Sequence, residues 1–118
     1  MDNKEIFRQI IDAFEKNDFE RVLTFMAEDI EWNFIGDHVI SGLENIAKMQ
    51  TENPDIGNMS TKTFNLISEG NIASANGDVS YTDKEGKLRE MHYCDWYELE
   101  NGKIKKMTSY VIDKKKKS

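Results

Sequence analysis

The sequence predicts an α+β domain in which a curved, cone-shaped antiparallel β-sheet packs on three N-terminal helices. Two apolar stripes with helical spacing open the chain, and a helix-capping signal follows a first short strand. The second half contains four strand-like runs separated by turn signals, which is typical of an antiparallel meander. Gly77, inside one of these runs, predicts a β-bulge that bends the sheet around the helices.

Two helices are predicted at the N-terminus. The first covers residues 4–16, because its apolar side chains recur at intervals that place them on one helical face. They are Ile6, Phe7, Ile10, Ile11 and Phe14. Asp18 is a suitable N-cap for a second helix. The apolar positions of that helix are Phe19, Val22, Leu23 and Met26.

A strand, a loop and a third helix follow. Residues 30–35 alternate as a strand, with Ile30, Trp32 and Phe34 on one side. Residues 36–40 are predicted to be a loop that contains Asp37 and His38. Ser41 and Glu44 then fit a capping box at the start of the third helix. The inward side chains of this helix are Leu43, Ile46, Ala47 and Met49.

The segment 53–60 is predicted to be an exposed loop. It contains Pro54, which pushes Asn53 toward extended geometry and so disfavours continuation of the helix. We interpret this segment as a candidate lid over the mouth of the cone.

Four strands complete the predicted sheet. The strand-like runs are residues 61–68, 72–82, 87–99 and 103–112. Short turn signals connect them at residues 69–71, 83–86 and 100–102. Because these connections are so short, consecutive strands are expected to pair antiparallel.

Length and composition bound the class of protein. A chain of 118 residues with 38% hydrophobic and 32% charged residues is typical of one soluble globular domain, which we place at residues 1–113. A lysine-rich tail, 114–118, is expected to be solvated. The net charge of −6 disfavours nucleic-acid binding, because an acidic body repels phosphate.

Membrane and secretory signals are not found in the sequence. No apolar run has the length of a membrane span, and no signal sequence opens the chain. The single cysteine, Cys94, suits a reducing compartment. We therefore expect a cytoplasmic protein without a membrane partner.

Asp95 is the main candidate for a functional group. It lies in the aromatic-rich run 87–99, KLREMHYCDWYEL, and aspartate is depleted in strands. Strand alternation places it on one face with Met91, Tyr93, Tyr97 and Leu99, whereas His92, Cys94, Trp96 and Glu98 lie on the other face. An inward carboxyl without a nearby cation would have a raised pKa. Such a group is either a functional acid or part of a structural network.

Three other residues have both a functional and a structural interpretation. His38 is either an acid/base or ligand contact above the pocket, or a solvated loop histidine, which is favoured. His92 lies on the opposite strand face from Asp95 and so forms no dyad with it. Cys94 is more simply a buried thiol than a nucleophile activated by His92. Because no metal-ligand spacing and no Gly-rich phosphate loop is found, we expect neither a metal nor a cofactor.

Aromatic and methionine side chains either line a cavity for a hydrophobic or aromatic small molecule or fill the core. They are Met26, Trp32, Phe34, Met49, Met59, Tyr93, Tyr97 and Met107. Trp32, Tyr93, Tyr97 and Met107 share the predicted face of Asp95, so for this group the two interpretations have equal weight.

The element order and three stretches of sequence resemble the nuclear transport factor 2-like superfamily, in its SnoaL-like polyketide cyclase and ketosteroid isomerase branch. The stretches are FEKNDFERVLTFMAEDIEWNFIG, SGLENI and DWYELENGKI. The resemblance covers Ile6 to Asp113 and implies a curved-sheet cone. It also implies a homodimer formed through the outer sheet face, which on this chain would include Trp96 and bury an apolar patch.

Of the three catalytic residues of the isomerases, the resemblance implies a counterpart in this chain for only one. Asp95 matches an aspartic acid that stays protonated in an apolar cavity and donates a hydrogen bond to a developing oxyanion. The isomerase tyrosine of the first helix falls at Ile10, which has no hydroxyl. The isomerase base falls at Phe34, or at Asn33 if the register slips by one residue, and neither takes a proton at neutral pH. Steroid isomerisation is therefore disfavoured.

Two functions remain open at this point. The first is binding of a small apolar or aromatic molecule, with Asp95 as anchor or acid in a cofactor-free isomerase, cyclase or dehydratase. The second is a non-catalytic dimeric module of the same fold, which binds a ligand or another protein.

Overall fold

The computed structural model describes residues 2–53 and 59–114. Within these residues the elements are α1 Asn3–Glu15, α2 Phe19–Thr24, β1 Met26–Phe34, β2 His38–Ser41, α3 Leu43–Glu52, β3 Ser60–Glu69, β4 Ile72–Thr82, β5 Leu88–Glu100 and β6 Lys103–Asp113. The predicted α+β class, the three helices and the meander of four C-terminal strands are confirmed. Among the described helices, none has the length and hydropathy needed to cross a bilayer.

The N-terminal helices begin at aspartates. The Asp2 carboxylate accepts from the backbone N–H of Glu5 at 2.9 Å, and the Asp18 carboxylate accepts from that of Arg21 at 3.2 Å, which confirms the predicted cap of α2. The prediction that Met26 belongs to this helix is wrong. Ile104 N–H donates to the carbonyl of Phe25 at 2.7 Å, so pairing with β6 takes over the backbone there and β1 begins at Met26.

The predicted loop at 36–40 and the Ser41 cap are also wrong. Residues 38–41 form β2, which pairs antiparallel with β1, and Ser41 lies opposite Glu31. Because strand pairing holds Ser41 in extended geometry, the N-cap of α3 moves to Gly42. Gly42 has φ of +90°, a conformation that side chains disfavour, and no side chain caps the helix there.

The six described strands form one sheet in the order β2-β1-β6-β5-β4-β3. Every neighbouring pair is antiparallel except β1 and β6, which run parallel. The parallel pair was not predicted, because it joins the two halves of the chain across a long sequence separation. It places the first strand beside the last one and so joins the β1–β2 hairpin to the C-terminal meander in one open, curved sheet.

The bulge predicted at Gly77 lies across from it, on β3. Thr63 pairs with Gly77 and Asn65 with Asn76, which leaves Phe64 as the extra residue. A Cβ on Gly77 would lie 1.9 Å from the carbonyl oxygen of Lys62, so only glycine allows this approach of the two backbones.

The inner face of the sheet pairs large side chains with small ones. On β5, Tyr93, Tyr97 and Leu99 are buried, which confirms the predicted alternation. On β4, Ala73 and Ala75 face them and are each 1% exposed. The small residues of β4 leave the volume that the tyrosine rings of β5 fill.

An ion pair follows the C-terminal strand. Lys114, the first residue of the predicted tail, has its Nζ 2.8 Å from a carboxylate oxygen of Asp78. Residues 115–118, the remainder of the predicted tail, lie outside the described residues.

Candidate functional site

Strand register brings the predicted site residues into adjacent rows on the inner face. One row runs across four strands through Asp95, Ser109, Phe34 and His38. The next row contains Tyr97, Met107 and Trp32. Tyr93 lies in the row on the other side of Asp95, opposite Val111. The site therefore comes from β5, β6, β1 and β2, with Asp95 near its centre.

The carboxyl of Asp95 is largely enclosed, and the residue keeps only part of its surface exposed. Burial raises the pKa of this carboxyl to about 6, and hydrogen bonds from Ser109 and Tyr97 oppose the rise. The Tyr97 hydroxyl donates to Asp95 Oδ2 at 3.3 Å. Within residues 2–53 and 59–114 no cation contributes to the shift, so in this part of the chain the carboxyl is a partly exposed acid without a counter-ion.

Ser109 is a buried polar residue that the sequence analysis missed. Its hydroxyl accepts from Trp32 Nε1 at 2.8 Å, and it lies directly opposite Asp95. Trp32 is thus tied to Asp95 through Ser109. The sequence offered only a serine at an inward position of β6. That Ser109 lies opposite Asp95 depends on a shift in the pairing of β5 with β6, which the sequence did not reveal.

Tyr93 connects the site to the neighbouring strand and helix. Its hydroxyl lies 2.6 Å from Thr63 Oγ1, and the Thr63 backbone N–H donates to the Glu15 carboxylate at 3.0 Å. Burial raises the pKa of Tyr93 to about 12, and burial raises that of Tyr97 well above its ordinary value. Both hydroxyls therefore stay protonated at neutral pH and serve as hydrogen-bond groups.

Three rings form a stack from the core to the surface. Trp32 and Phe34 are stacked with centroids 4.8 Å apart, and Phe34 and His38 are stacked at 5.0 Å. His38 lies on β2 rather than in a loop, its side chain is half exposed, and Nδ1 is 3.1 Å from Asp37 Oδ2. Three strand spacings, roughly 14 Å, separate His38 from Asp95 along the row, so the two do not form a direct dyad.

The four methionines predicted to line a cavity lie in different parts of the molecule. Met59, just before β3, is half-buried. Met107 is fully buried beside Tyr97. Met49 on α3 is partly buried against the core. Met26 pairs with Ile104 at the opposite end of β1, away from the rows around Asp95.

Two surface pockets lie away from Asp95, which lines neither of them. Their volumes are about 320 Å³ and about 280 Å³. Both are lined by Asp29, Glu100 and Lys105, near the β5–β6 turn. Charges of both signs line these pockets, in contrast to the aromatic surroundings of Asp95.

The outer face carries the other predicted residues of β5. His92 Nδ1 lies 2.8 Å from Asp78 Oδ1 on this face, which confirms that His92 is directed away from Asp95. Cys94 was expected to be buried, but it is half-buried, with its Sγ 3.7 Å from the hydroxyl of Ser74. Trp96 is 45% exposed.

At the positions that correspond to the other two isomerase residues, this chain has side chains that cannot act as an acid or a base. Ile10 is fully buried in the core, and Phe34 belongs to the ring stack. Asn33 pairs with Val39 and Thr108, on the outer side of the sheet. Among the described residues, no group of three or more His, Cys, Asp or Glu side chains is arranged to hold a metal ion.

The predicted lid cannot be placed. Of the segment 53–60, residues 54–58 lie outside the described residues. Asn53 ends α3, and Ser60 begins β3.

Comparison with known proteins identifies similar sequences and folds. A sequence profile of the SnoaL-like domain matches residues 7–107. No curated protein matches the chain significantly. A nuclear transport factor 2-like protein of unknown function from Cytophaga hutchinsonii is 33% identical, with 92% of this chain and 97% of the other covered and a TM-score of 0.75.

Two further solved structures are similar in fold alone. TerC, co-crystallised with polyporic acid, is 20% identical, with 95% of this chain and 91% of TerC covered and a TM-score of 0.77. A proposed SnoaL-like polyketide cyclase from Mesorhizobium loti is 19% identical, with 93% and 99% covered and a TM-score of 0.79.

Proposed function

Because the chain belongs to the SnoaL-like domain family within the nuclear transport factor 2-like proteins, we propose that it binds a small hydrophobic or aromatic molecule on the inner face of its sheet. Asp95 is the polar anchor of the proposed site. Trp32, Phe34 and Tyr93 are its aromatic wall, and His38 is at its rim.

One observation supports this proposal most strongly. Among the described residues Asp95 has no counter-ion, aromatic and aliphatic side chains lie around it, and part of its surface is open. Burying a carboxylate without a cation is costly even with the hydrogen bonds from Ser109 and Tyr97, and a ligand hydroxyl or amine at its open side would lower that cost. Pockets for small molecules commonly combine an apolar lining with a few placed polar groups. TerC, which shares the fold, was co-crystallised with polyporic acid, and this supports a small-molecule ligand here.

The proposed chemistry is proton transfer without a cofactor. With a pKa of about 6, roughly nine in ten molecules carry Asp95 as carboxylate at pH 7. A base with a pKa just below the working pH is well suited to remove a proton next to a carbonyl. This chemistry fits isomerisation, cyclisation or dehydration, in which Asp95 first takes a proton from the ligand and the protonated Asp95 then returns it to the product. Steroid isomerisation stays disfavoured, since Ile10 and Phe34 replace its other two groups.

We also propose that two copies associate through the outer face of the sheet. Large apolar side chains there are exposed, among them Ile67 at 69%, Trp96 at 45% and Tyr110 at 46%. Small polar residues such as Ser74 lie between them, so two such faces could approach closely. Removing this patch from water favours association.

A second candidate function is a non-catalytic interaction module. It is favoured by the burial of Tyr97 and Met107, which fill the space beneath Asp95, and by the two pockets, which lie elsewhere. In this alternative Asp95 only fixes the local network, and the outer face does the binding.

A ligand screen distinguishes the two functions. Small molecules retained by the purified protein are identified by mass spectrometry, and their affinities are measured for the unsubstituted protein, Asp95→Asn and Asp78→Asn. We expect Asp95→Asn to weaken binding about tenfold or more, because a hydrogen bond to a charged group is lost. Asp78 lies on the outer face, so Asp78→Asn should leave the affinity unchanged.

Equal affinity of all three proteins would contradict the role of Asp95. Absence of any retained compound, together with undisturbed backbone amide signals on the inner face in a fragment library, would favour the interaction module.

A further inference from the structure

We infer that Ser109, oriented by the indole of Trp32, is the positioning residue that holds Asp95 as a proton acceptor rather than as a proton donor. The inference rests on the proposed function of Asp95 and assigns a direction to its chemistry. Three features support it: the direction of one hydrogen bond, the burial of Ser109 and the strand register.

The direction of the bond between Trp32 and Ser109 is fixed by chemistry. An indole N–H can only donate, so the Ser109 hydroxyl is the acceptor at 2.8 Å. A hydroxyl has one proton, and this bond leaves that proton free for another acceptor. Asp95 accepts it as the cross-strand neighbour of Ser109.

Burial keeps this chain of hydrogen bonds in place. Ser109 is 3% exposed and Trp32 is 7% exposed, so water does not compete for either group. The backbone carbonyl of Ser109 accepts from Ile35 N–H at 3.0 Å, which fixes the strand at this point. The hydroxyl of Ser109 is therefore held as a donor toward Asp95.

The consequence for Asp95 is a preference for its ionised form. Ser109 and Tyr97 both donate to the carboxylate. A protonated Asp95 would need an acceptor for its own proton, whereas the hydroxyls of Ser109 and Tyr97 are both held as donors toward it. In a reaction, the proton of a ligand C–H or O–H bond would move to a carboxylate oxygen, and the electron pair of the broken bond would stay on the ligand.

The groups around Asp95 allow this effect to be measured. They are Tyr93 and Tyr97 on β5, Ala75 on β4, Ser109 on β6, Phe34 on β1 and, through Thr63 of β3, Glu15 of α1. His38 on β2 lies further along the same row. The tyrosines stay neutral near pH 6, but a histidine ordinarily changes charge between pH 5 and 8, so His38→Asn is a necessary control.

The test uses the two tryptophan indole signals in proton–nitrogen NMR spectra recorded from about pH 4.5 to 8. Because Trp32 contacts Asp95 through Ser109, we expect its indole signal to shift with the same midpoint as the Asp95 carboxyl carbon. Trp96, on the outer face, should not follow that midpoint. The Trp32 shift should persist in His38→Asn.

Substitution of Ser109 separates positioning from packing. Ser109→Ala should abolish the Trp32 titration and increase the proton affinity of Asp95 about tenfold, since a donor to the carboxylate is lost. Ser109→Thr retains the hydroxyl and should preserve both the Trp32 titration and the proton affinity of Asp95. Ser74→Ala, which removes a serine hydroxyl from the outer face opposite Trp96, should change neither.

Two results would overturn the inference: a Trp32 signal that does not titrate in the unsubstituted protein, or an unchanged proton affinity of Asp95 in Ser109→Ala. If Ser109→Ala does not fold, Trp32→Phe tests the same link, since loss of its donor should also raise the proton affinity of Asp95. No ligand is used, so failure here differs from failure of the proposed function, which the ligand affinity of Asp95→Asn decides.

Discussion

At the level of single residues, the carboxyl of Asp95 is held in two opposing ways. Burial favours its neutral form, whereas the hydroxyls of Ser109 and Tyr97 favour its charged form. The result is a pKa of about 6, between a solvated carboxylate and an acid that stays neutral at pH 7. The resemblance implied a permanently protonated acid, and the surroundings of Asp95 favour a proton acceptor instead.

The raised pKa of Asp95 predicts how stability depends on pH. The folded state binds the proton more tightly than the unfolded state, so the free energy of unfolding falls as pH rises from about 4 to about 6. Above that range the ionised carboxyl costs at most about 3 kcal/mol. Asp95→Asn should therefore be more stable than the unsubstituted protein at pH 7 but not at pH 4, as measured by urea unfolding.

Asp78→Asn serves as the control, because its effect on the free energy of unfolding should depend on pH in the opposite direction. Its hydrogen bond from Lys114 lowers the pKa of Asp78, so Asp78 contributes stability above the ordinary carboxyl range and loses it as pH falls. The stability of Asp95→Asn is compared with that of the unsubstituted protein at each pH. If the difference favours Asp95→Asn less at pH 7 than at pH 4, the burial of a carboxylate without a cation is contradicted.

Single-residue reasoning could find Asp95 but not Ser109. An aspartate among aromatic strand residues is conspicuous in the sequence, because it breaks a local preference. A serine in a strand is not. The role of Ser109 depends on which residue lies opposite it, and that is a property of two paired strands.

At the level of elements, one bulge decides this pairing. The turn at Asn101 and Gly102 places Glu100 opposite Lys103, and Leu99 lies opposite Ile104. Continued without interruption, this register would bring Thr108 opposite Asp95. The register instead shifts by one residue after Leu99, so that Ser109 faces Asp95 on the inner side.

Other elements show the same division between local and long-range causes. The four C-terminal strands and α1 were predicted within a few residues, because periodicity and turn residues determine them locally. Strand β2 was missed, because pairing with the neighbouring strand β1 overrides the capping signal at Ser41. The start of β1 was missed, because Met26 pairs with Ile104 on the distant strand β6. The bulge opposite Gly77 was predicted on the wrong strand, since a glycine marks a close approach without saying which backbone carries the extra residue.

At the level of the whole molecule, the two faces of the sheet separate the two proposed functions. Its inner face carries Asp95 and the aromatic rows, and its outer face carries exposed apolar side chains. Alternation along β5 places Asp95 on the face proposed for ligand binding and Trp96 on the face proposed for association. The cone architecture could be predicted from the sequence, whereas the parallel contact of β1 with β6 that joins the two halves of the sheet could not.

The proposed homodimer predicts the effect of a charge on the outer face. Trp96→Lys should dissociate the dimer, because the side chain would bury an ammonium group in an apolar contact. Sedimentation velocity should then show a monomer at concentrations where the unsubstituted protein is a dimer. Thr24→Lys, which adds the same charge at an exposed position of α2, should remain dimeric. A monomeric unsubstituted protein, or a dimer that Trp96→Lys leaves intact, would exclude this interface.

The proposed role of Asp95 is tested most directly by titration of its carboxyl carbon by NMR, with Asp95→Asn used to assign the signal. We expect a midpoint near 6, because the carboxyl is enclosed on the inner face and no cation of the described residues lies beside it. A midpoint at the ordinary value of 3.8 would mean that Asp95 is solvated, and the proposed site would then have no anchor.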